Sequence, residues 1–145
     1  MPKLFMNLSF ELVEGDFNHA GEASSKIKKT LQQINIPADV VRRIAIGTYE
    51  GEMNVIIHAN GGTIGAQIYP THTLIIIEDT GPGIEDIELA TKEGYSTAPD
   101  YVRELGFGAG MGLPNMKRCS DDLQIESQVG VGTKITMRFE HVKNN

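Results

Sequence analysis

The spacing of apolar residues predicts one strand and two helices in the first sixty positions of the chain. In the opening segment alternate positions are apolar, namely Leu8, Phe10 and Leu12. This two-residue period is typical of a strand with one buried face, and we expect it at an edge of a sheet. Apolar residues recur every three or four positions from about 18 to 34, which predicts an amphipathic helix. Pro37 then fits the first turn of a second helix, predicted from about 38 to 59.

Strand-like runs follow the second helix in two pairs. Thr63–Tyr69 and Thr73–Asp79 are rich in β-branched residues and flank a Pro-Thr-His segment, which predicts a hairpin. The second run is apolar on both faces from Leu74 to Ile77, so we expect a central, buried strand. The other predicted elements are a short helix at 85–90, a helix at 113–119, and strands at 123–127 and 133–139.

The segment 91–107 has no clean period and is rich in Gly, Ser, Thr and Pro. Structureless segments of this length in compact domains are usually functional, so we predict a lid at about 91–112 that includes the following glycine run. The order of the elements predicts a single α+β domain over residues 1–145. Its helices should cover one face of a mixed, mostly antiparallel sheet.

Composition and charge exclude several classes of protein. The chain has 145 residues, of which 40% are hydrophobic, so it can bury a core without a disulfide or metal. Cys119 is its single cysteine, and the first residues lack the apolar segment of a signal peptide, so we expect a cytoplasmic location. No apolar run is long enough to cross a bilayer. A formal net charge of −6 without a basic, aromatic-rich patch argues against nucleic acid as a partner.

Glu50 and Asn54 are the first candidate pair for chemistry. They are four residues apart on the predicted second helix, so their side chains share one face. The amide oxygen of Asn54 suits a Mg²⁺ shell, and the carboxylate of Glu50 suits proton abstraction from a hydroxyl or water. On this pair alone, a solvated helix surface explains the spacing equally well.

Asp79 ends the most apolar strand and begins the segment Asp-Thr-Gly-Pro-Gly-Ile, which runs to Ile84. A carboxylate fixed at a strand end beside unobstructed glycines can accept a hydrogen bond from an exocyclic amine such as that of adenine. The alternative is that the aspartate and the glycines only form the turn that follows the strand.

Glycines alternate immediately before the predicted helix at Leu113, at positions Gly106, Gly108, Gly110 and Gly112. Their backbone N–H groups and the helix N-terminus together form a cradle suited to phosphate. The spacing matches neither a dinucleotide-binding fingerprint nor a Walker A loop, and a flexible hinge is the alternative. Gly132-Thr133 is ordinary hairpin chemistry unless Thr133 faces the site.

Taken in order, these motifs resemble the GHKL ATPase superfamily, which includes gyrase, heat-shock chaperone, histidine kinase and mismatch-repair ATPases. The likeness spans roughly residues 40–140 and implies a Bergerat-type two-layer sandwich. It also implies that ATP and Mg²⁺ are bound, with Asn54 on the metal, Asp79 at the adenine, and Thr133 near it. The base pocket would be shaped by Gly81, Gly83 and Ile84, and the phosphates wrapped by Gly108, Ala109, Gly110, Met111, Gly112 and Leu113.

Within that superfamily the chain looks like the bacterial anti-sigma-factor and switch serine/threonine kinases. The resemblance rests on the free-standing length and on the segments 50–58 and 110–118. It implies that Glu50 is the general base for a serine or threonine of an anti-sigma-antagonist-type protein. A sigma factor is a second candidate partner, and a homodimer is open. The competing class is a nucleotide-gated protein-binding module without kinase activity, in which an ATP-ordered lid binds a partner.

Overall fold

The computed structural model describes residues 5–84, 87 and 112–142. These residues form five strands, three α-helices and a short 3₁₀ turn at Phe17–His19. The helices are α1 (Glu22–Gln33), α2 (Ala38–His58) and α3 (Gly112–Cys119). The strands are β1 (Met6–Leu12), β2 (Gly62–Ile68), β3 (His72–Thr80), β4 (Asp122–Gln128) and β5 (Gly132–Glu140).

The five strands form one sheet in the order β1-β2-β3-β5-β4. The pairings β1–β2, β2–β3, β3–β5 and β4–β5 are all antiparallel. The opening strand therefore lies at an edge and β3 lies at the centre, as predicted. The α+β sandwich with a mostly antiparallel sheet is confirmed.

The core lies between the helices and one face of the sheet. From β3 it receives Ile75 and Ile77, whose side chains are buried. Leu74 and Ile76 point to the opposite face and are only half-buried. The prediction that β3 is buried on both faces was therefore wrong in part, because the described helices cover one face only. Within the described residues, no helix is both long enough and apolar enough to cross a membrane.

Helix α2 is the central helix and lies close against the sheet. A Cβ atom at Gly47 would come within 3.1 Å of the Met137 sulfur, and one at Gly51 would overlap Cδ1 of Ile77. Two glycines one turn apart thus let the helix backbone approach the sheet more closely than a side chain would allow. This close contact sets the distance between α2 and the sheet. It therefore also sets the positions of the candidate site residues on α2, Glu50 and Asn54.

Helix α2 begins at Ala38, as predicted, but the place of the preceding proline differs from the prediction. Pro37 is the N-cap residue of the helix rather than part of its first turn, with φ −53° and ψ 139°. Its carbonyl accepts a hydrogen bond from the N–H of Val41 at 3.0 Å. Because its ψ is extended, Pro37 lies outside the helix, and the first helical residue is Ala38.

Helix α1 is capped from a distance by Glu52 of α2. The residue before the helix, Gly21, has no side chain to accept a hydrogen bond. The carboxylate of Glu52 replaces that cap and accepts the N–H groups of Gly21, Ala23 and Ser24 at 3.1, 3.3 and 3.1 Å. Since Glu52 is only 1% exposed, these donors satisfy the oxygens of a buried carboxyl group.

Candidate functional site

Asp79 lies at the end of β3, where the central strand leaves the sheet. Its register partners are Gly62 on β2 and Thr133 on β5. The N–H of Thr133 donates to Oδ1 of Asp79 at 3.1 Å. Burial raises the pKa of Asp79, and the Thr133 N–H opposes that rise by favouring the charged form. The carboxylate is thus held in one position, with Thr133 beside it.

The loop after Asp79 packs on the tip of the β4–β5 hairpin. The N–H of Gly130 donates to the Pro82 carbonyl at 2.9 Å. Gly83 has a φ of +76°, and a Cβ atom there would lie 2.5 Å from the Gln128 carbonyl oxygen. Only glycine fits at position 83, for both reasons. The second glycine of the motif is therefore required by this packing.

Gly81 lies where the end of α2 meets the end of β3. A Cβ atom at this position would be 3.1 Å from the Cα of Ala59 and 3.4 Å from Oδ1 of Asp79. Backbone hydrogen bonds join the same two segments, with the N–H of Asn60 donating to the Thr80 carbonyl at 2.7 Å. Position 81 therefore has little room for a side chain between the end of α2 and the Asp79 carboxylate, and backbone alone lies beside that carboxylate here.

Ser127 is a residue of this site that the sequence interpretation missed. Its hydroxyl accepts the N–H of Ile84 at 2.8 Å and lies 2.9 Å from the hydroxyl of Thr133. It therefore ties the loop after Asp79 to the hairpin. The signal in the sequence is the alternation of β4, which places Ser127 on the same inward face as Leu123 and Ile125.

Asn54 lies at the other end of the site, against the first residue of α3. A Cβ atom on Gly112 would come within 2.8 Å of Oδ1 of Asn54. Leu113, next in sequence, is buried in the core and holds this end of α3 in place. The structure thus brings two separate motifs together, and the missing side chain at 112 leaves a cradle beside an amide oxygen.

Glu50 lies one turn before Asn54 on α2 and also contacts α3. The side-chain amide of Asn115 donates to Oε1 of Glu50 at 3.2 Å, and Arg118 donates to Oδ1 of Asn115 at 2.7 Å. The Glu50 side chain is half-buried. A solvated helix surface does not account for this arrangement, because the carboxylate is held by a neighbouring helix.

Parts of the predicted site lie outside the described residues. These are the short helix at 85–90 apart from residue 87, the lid at 91–111, and the phosphate-loop positions Gly108, Ala109, Gly110 and Met111. In the described ranges, no group of three His, Cys, Asp or Glu side chains is placed to hold a metal ion. The residue that fits Mg²⁺ is Asn54, whose amide oxygen borders the cradle at Gly112.

The fold and the two clusters define a nucleotide-binding ATPase domain. The chain belongs to the histidine kinase-, DNA gyrase B- and HSP90-like ATPase family, whose sequence profile matches residues 38–143. The match includes Glu50, Asn54, Asp79 and Thr133, and it begins at the first residue of α2. Strand β1 and helix α1 lie outside it.

Similar proteins place the chain in one branch of that family. It is 36% identical over 120 residues to the anti-sigma F factor of Clostridium acetobutylicum. The aligned residues cover 79% of this chain and 76% of the relative. It is 35% identical over 97 residues to the serine/threonine-protein kinase RsbT of Bacillus subtilis, and this alignment covers 64% of this chain and 67% of the relative. The anti-sigma F factor of Clostridium kluyveri is 30% identical over 113 residues, 74% of this chain and 76% of the relative. The predicted family and its class, ATP-binding anti-sigma-factor and switch kinases, are confirmed.

Proposed function

We propose that this protein transfers the γ-phosphoryl group of ATP to a serine or threonine hydroxyl of an anti-sigma-antagonist-type protein. The observation that carries the proposal is the meeting of Glu50, Asn54 and Gly112 where α2 contacts α3. A carboxylate, an amide oxygen and the first turn of a helix that follows a glycine run lie close together at that contact, which supports the proposal. Relatives named as anti-sigma F factors and as a serine/threonine-protein kinase support the same activity.

Adenine would bind at the Asp79 end of the site. Oδ1 of Asp79 already accepts the Thr133 N–H, so the second carboxylate oxygen is the one to accept the exocyclic amine of adenine. Gly81 offers bare backbone beside that carboxylate, and Gly83 with Ile84 continues the pocket wall. A guanine ring, which has a carbonyl in place of the amine, would face the carboxylate with an acceptor and be rejected.

The phosphates would lie at the Asn54 end. The N-terminal turn of α3 begins at Gly112, and its N–H groups, which have no acceptor within the helix, and the helix dipole would favour an anion there. Asn54 would hold Mg²⁺ through its amide oxygen, and the metal would neutralise phosphate charge when bound. The glycines at 108 and 110 would add backbone donors on the same side.

In the transfer, the acceptor hydroxyl oxygen forms a bond to the γ-phosphorus while the bond to the β–γ bridging oxygen breaks, releasing ADP. The hydroxyl proton passes to the carboxylate of Glu50. Asn115 holds that carboxylate by a hydrogen bond to Oε1, which leaves Oε2 as the oxygen to receive the proton. Positioned charge and one proton acceptor are sufficient, because phosphoryl transfer requires little covalent chemistry from the protein.

The partner would be a small cytoplasmic antagonist-type protein, and the relatives named anti-sigma F factor support a sigma factor as a second partner. A protein that binds its partner only with ATP and never labels it would instead be a nucleotide-gated binding module. The kinase and the binding module would use the same adenine pocket. They differ in whether Glu50 accepts a proton from a hydroxyl of the partner.

The test uses Glu50→Gln and Asn54→Ala with radiolabelled ATP and purified antagonist-type proteins from the same genome. Glu50→Gln keeps the shape of the side chain and removes its basicity, so ATP should still bind while transfer falls by about 10²–10⁴-fold. Asn54→Ala should weaken Mg²⁺-dependent ATP binding and transfer together. Transfer at the wild-type rate by Glu50→Gln would exclude the base assignment.

A further inference from the structure

Charge is divided between the two layers of the molecule. Helices α1, α2 and α3 carry seven Lys and Arg residues against four Asp and Glu residues. One of those four acids is Glu52, which is buried under α1. The five strands carry two basic residues against six acidic ones. A chain with a net charge of −6 therefore presents a basic outer face on its helices.

The outer face of α2 carries an apolar patch that leads to the candidate base. Ile46 and Tyr49 are 43% and 38% exposed, although most apolar residues of this helix are in the core. Arg42, also exposed, lies one turn before Ile46. The spacing of these residues places them on one side of the helix, and Glu50 continues it about 12 Å from Arg42.

Helix α3 borders this stripe because it runs antiparallel to α2. Asn54 meets Gly112, Glu50 meets Asn115, and Arg43 donates to the Cys119 carbonyl at 3.3 Å. Arg118, exposed on α3 between Asn115 and Cys119, therefore lies alongside the same stretch of α2. The apolar patch thus has Arg42 at one end, the carboxylate of Glu50 at the other, and Arg118 alongside it on α3.

We propose that Arg42, Ile46, Tyr49 and Arg118 form the docking surface for the phosphoacceptor protein. Its occupant is a small acidic protein that presents its serine or threonine beside carboxylates and an apolar patch. This inference rests on the proposed function, since an acceptor hydroxyl that reaches Glu50 must cover the helix surface next to it. The charge supports it as well: an acidic partner is repelled by the sheet face and attracted to the helix face.

Two variants test the surface without touching the catalytic pair. Arg42→Glu reverses a flanking charge, and Ile46→Ala removes the apolar contact while keeping helix propensity. The matched controls are Lys28→Glu, which makes the same charge change on the exposed face of α1, and Val142→Ala, which truncates an apolar residue that is 71% exposed. Binding of purified antagonist-type proteins from the same genome is measured by calorimetry with a non-hydrolysable ATP analogue.

Arg42→Glu should raise the Kd for the acidic partner about tenfold or more, and Ile46→Ala about fivefold. Both controls should stay within about twofold, and the affinity for ATP should be unchanged in all four variants, which shows that they are folded. Higher salt should weaken wild-type binding more than it weakens binding by Arg42→Glu.

The outcomes separate docking from chemistry. Loss of binding in the two variants supports the surface even if the wild-type protein transfers no phosphate, a result that would overturn only the kinase proposal. Wild-type affinity in both variants overturns the surface, whether or not transfer occurs, and so does the absence of wild-type binding. A second copy of this chain on the surface would give a dimer by sedimentation that Arg42→Glu dissociates, and would also overturn it.

Discussion

The side-chain amide of Asn115 donates a hydrogen bond to Oε1 of Glu50 at 3.2 Å, from helix α3, which begins at Gly112. Asn115 thus positions the candidate base relative to the same helix that would receive the phosphates. Asn115→Ala should lower the rate of transfer by about 10- to 100-fold, because one hydrogen bond to a charged group is worth about 1.5–3 kcal/mol. The Kd for ATP should stay within about twofold, since Asn115 has no part in the proposed nucleotide contacts.

The measurement for Asn115 is single-turnover transfer beside equilibrium ATP binding. Gln32→Ala, which removes an exposed amide from α1, is the control and should change neither quantity. Equal losses of ATP affinity and transfer in Asn115→Ala would show that Asn115 supports the fold of the site rather than the position of Glu50.

Gly112→Ala should damage Mg²⁺-dependent ATP binding while leaving stability intact. The added Cβ atom would lie 2.8 Å from Oδ1 of Asn54, so the amide must move away from the cradle. Alanine is favoured over glycine inside helices by about 1 kcal/mol, so any change in the free energy of unfolding should be small or favourable. The Kd for ATP should rise about tenfold or more in the presence of Mg²⁺.

The control for Gly112 is Gly65→Ala on β2, where a Cβ atom would meet nothing closer than the Leu8 carbonyl oxygen at 3.5 Å. This variant should bind ATP as the wild-type protein does. Unchanged ATP affinity in Gly112→Ala would contradict the role of Asn54 beside the phosphates.

Asp79 should make the protein less stable as pH rises above the ordinary carboxyl range. Burial raises its pKa above 3.8 in the folded protein, so the folded state holds the proton more tightly than the unfolded chain does. The contribution of this group to the free energy of unfolding is then largest at low pH, and it falls as pH rises from about 3.8 through the raised pKa.

Asp79→Asn tests this, because the amide keeps an acceptor for the Thr133 N–H and does not ionise. Relative to the wild-type protein, the variant should gain free energy of unfolding across that pH window and keep the gain at pH 7, although its ATP affinity falls. Urea unfolding of both proteins at a series of pH values measures the difference. A difference that is constant with pH, or that shrinks as pH rises, would contradict the prediction.

Glu52→Ala should destabilise the protein on the order of 3 kcal/mol. The substitution leaves three N–H groups at the start of α1 without their acceptor, two of them in buried hydrogen bonds. Glu22→Ala, at an exposed position in the first turn of the same helix, is the control and should cost less than about 1 kcal/mol. Similar losses of the free energy of unfolding in urea for the two variants would mean that acidic charge near the start of α1, and not the hydrogen bonds of Glu52, accounts for the effect.

The sequence predicts the elements of this fold well, because each rests on local periodicity. Alternation marked β1 as an edge strand, and the apolar run in β3 marked the centre of the sheet. The exposure of Leu74 and Ile76 was missed because a continuous apolar run does not reveal that only one face of a strand is covered. Only backbone geometry shows whether Pro37 caps α2 or lies inside it.

Some residues of the candidate site could likewise be predicted from the sequence, and others could not. The motif residues Asp79 and Asn54 are visible in sequence because their residue types and spacing suit nucleotide chemistry. Ser127, Asn115 and Glu52 were missed, since each acts on a partner between 28 and 65 residues away. No local pattern encodes such a contact. Their roles follow from the pairing of β4 with β5 and the packing of α2 between its neighbours.

The hydrogen bonds that Glu52 accepts from the start of α1 join the segment before residue 38 to the rest of the domain. The family profile matches the chain from residue 38, so an expression fragment designed on that match would start at Ala38. Such a fragment would keep the carboxylate of Glu52 and remove its three donors, and it would strip β2 of the strand that covers its edge. A carboxyl group left without these donors, beside an apolar surface opened by the loss of Ile27 and Leu31, favours aggregation over folding. The segment before Ala38 is therefore a structural part of the ATPase domain, and it belongs in every expressed fragment.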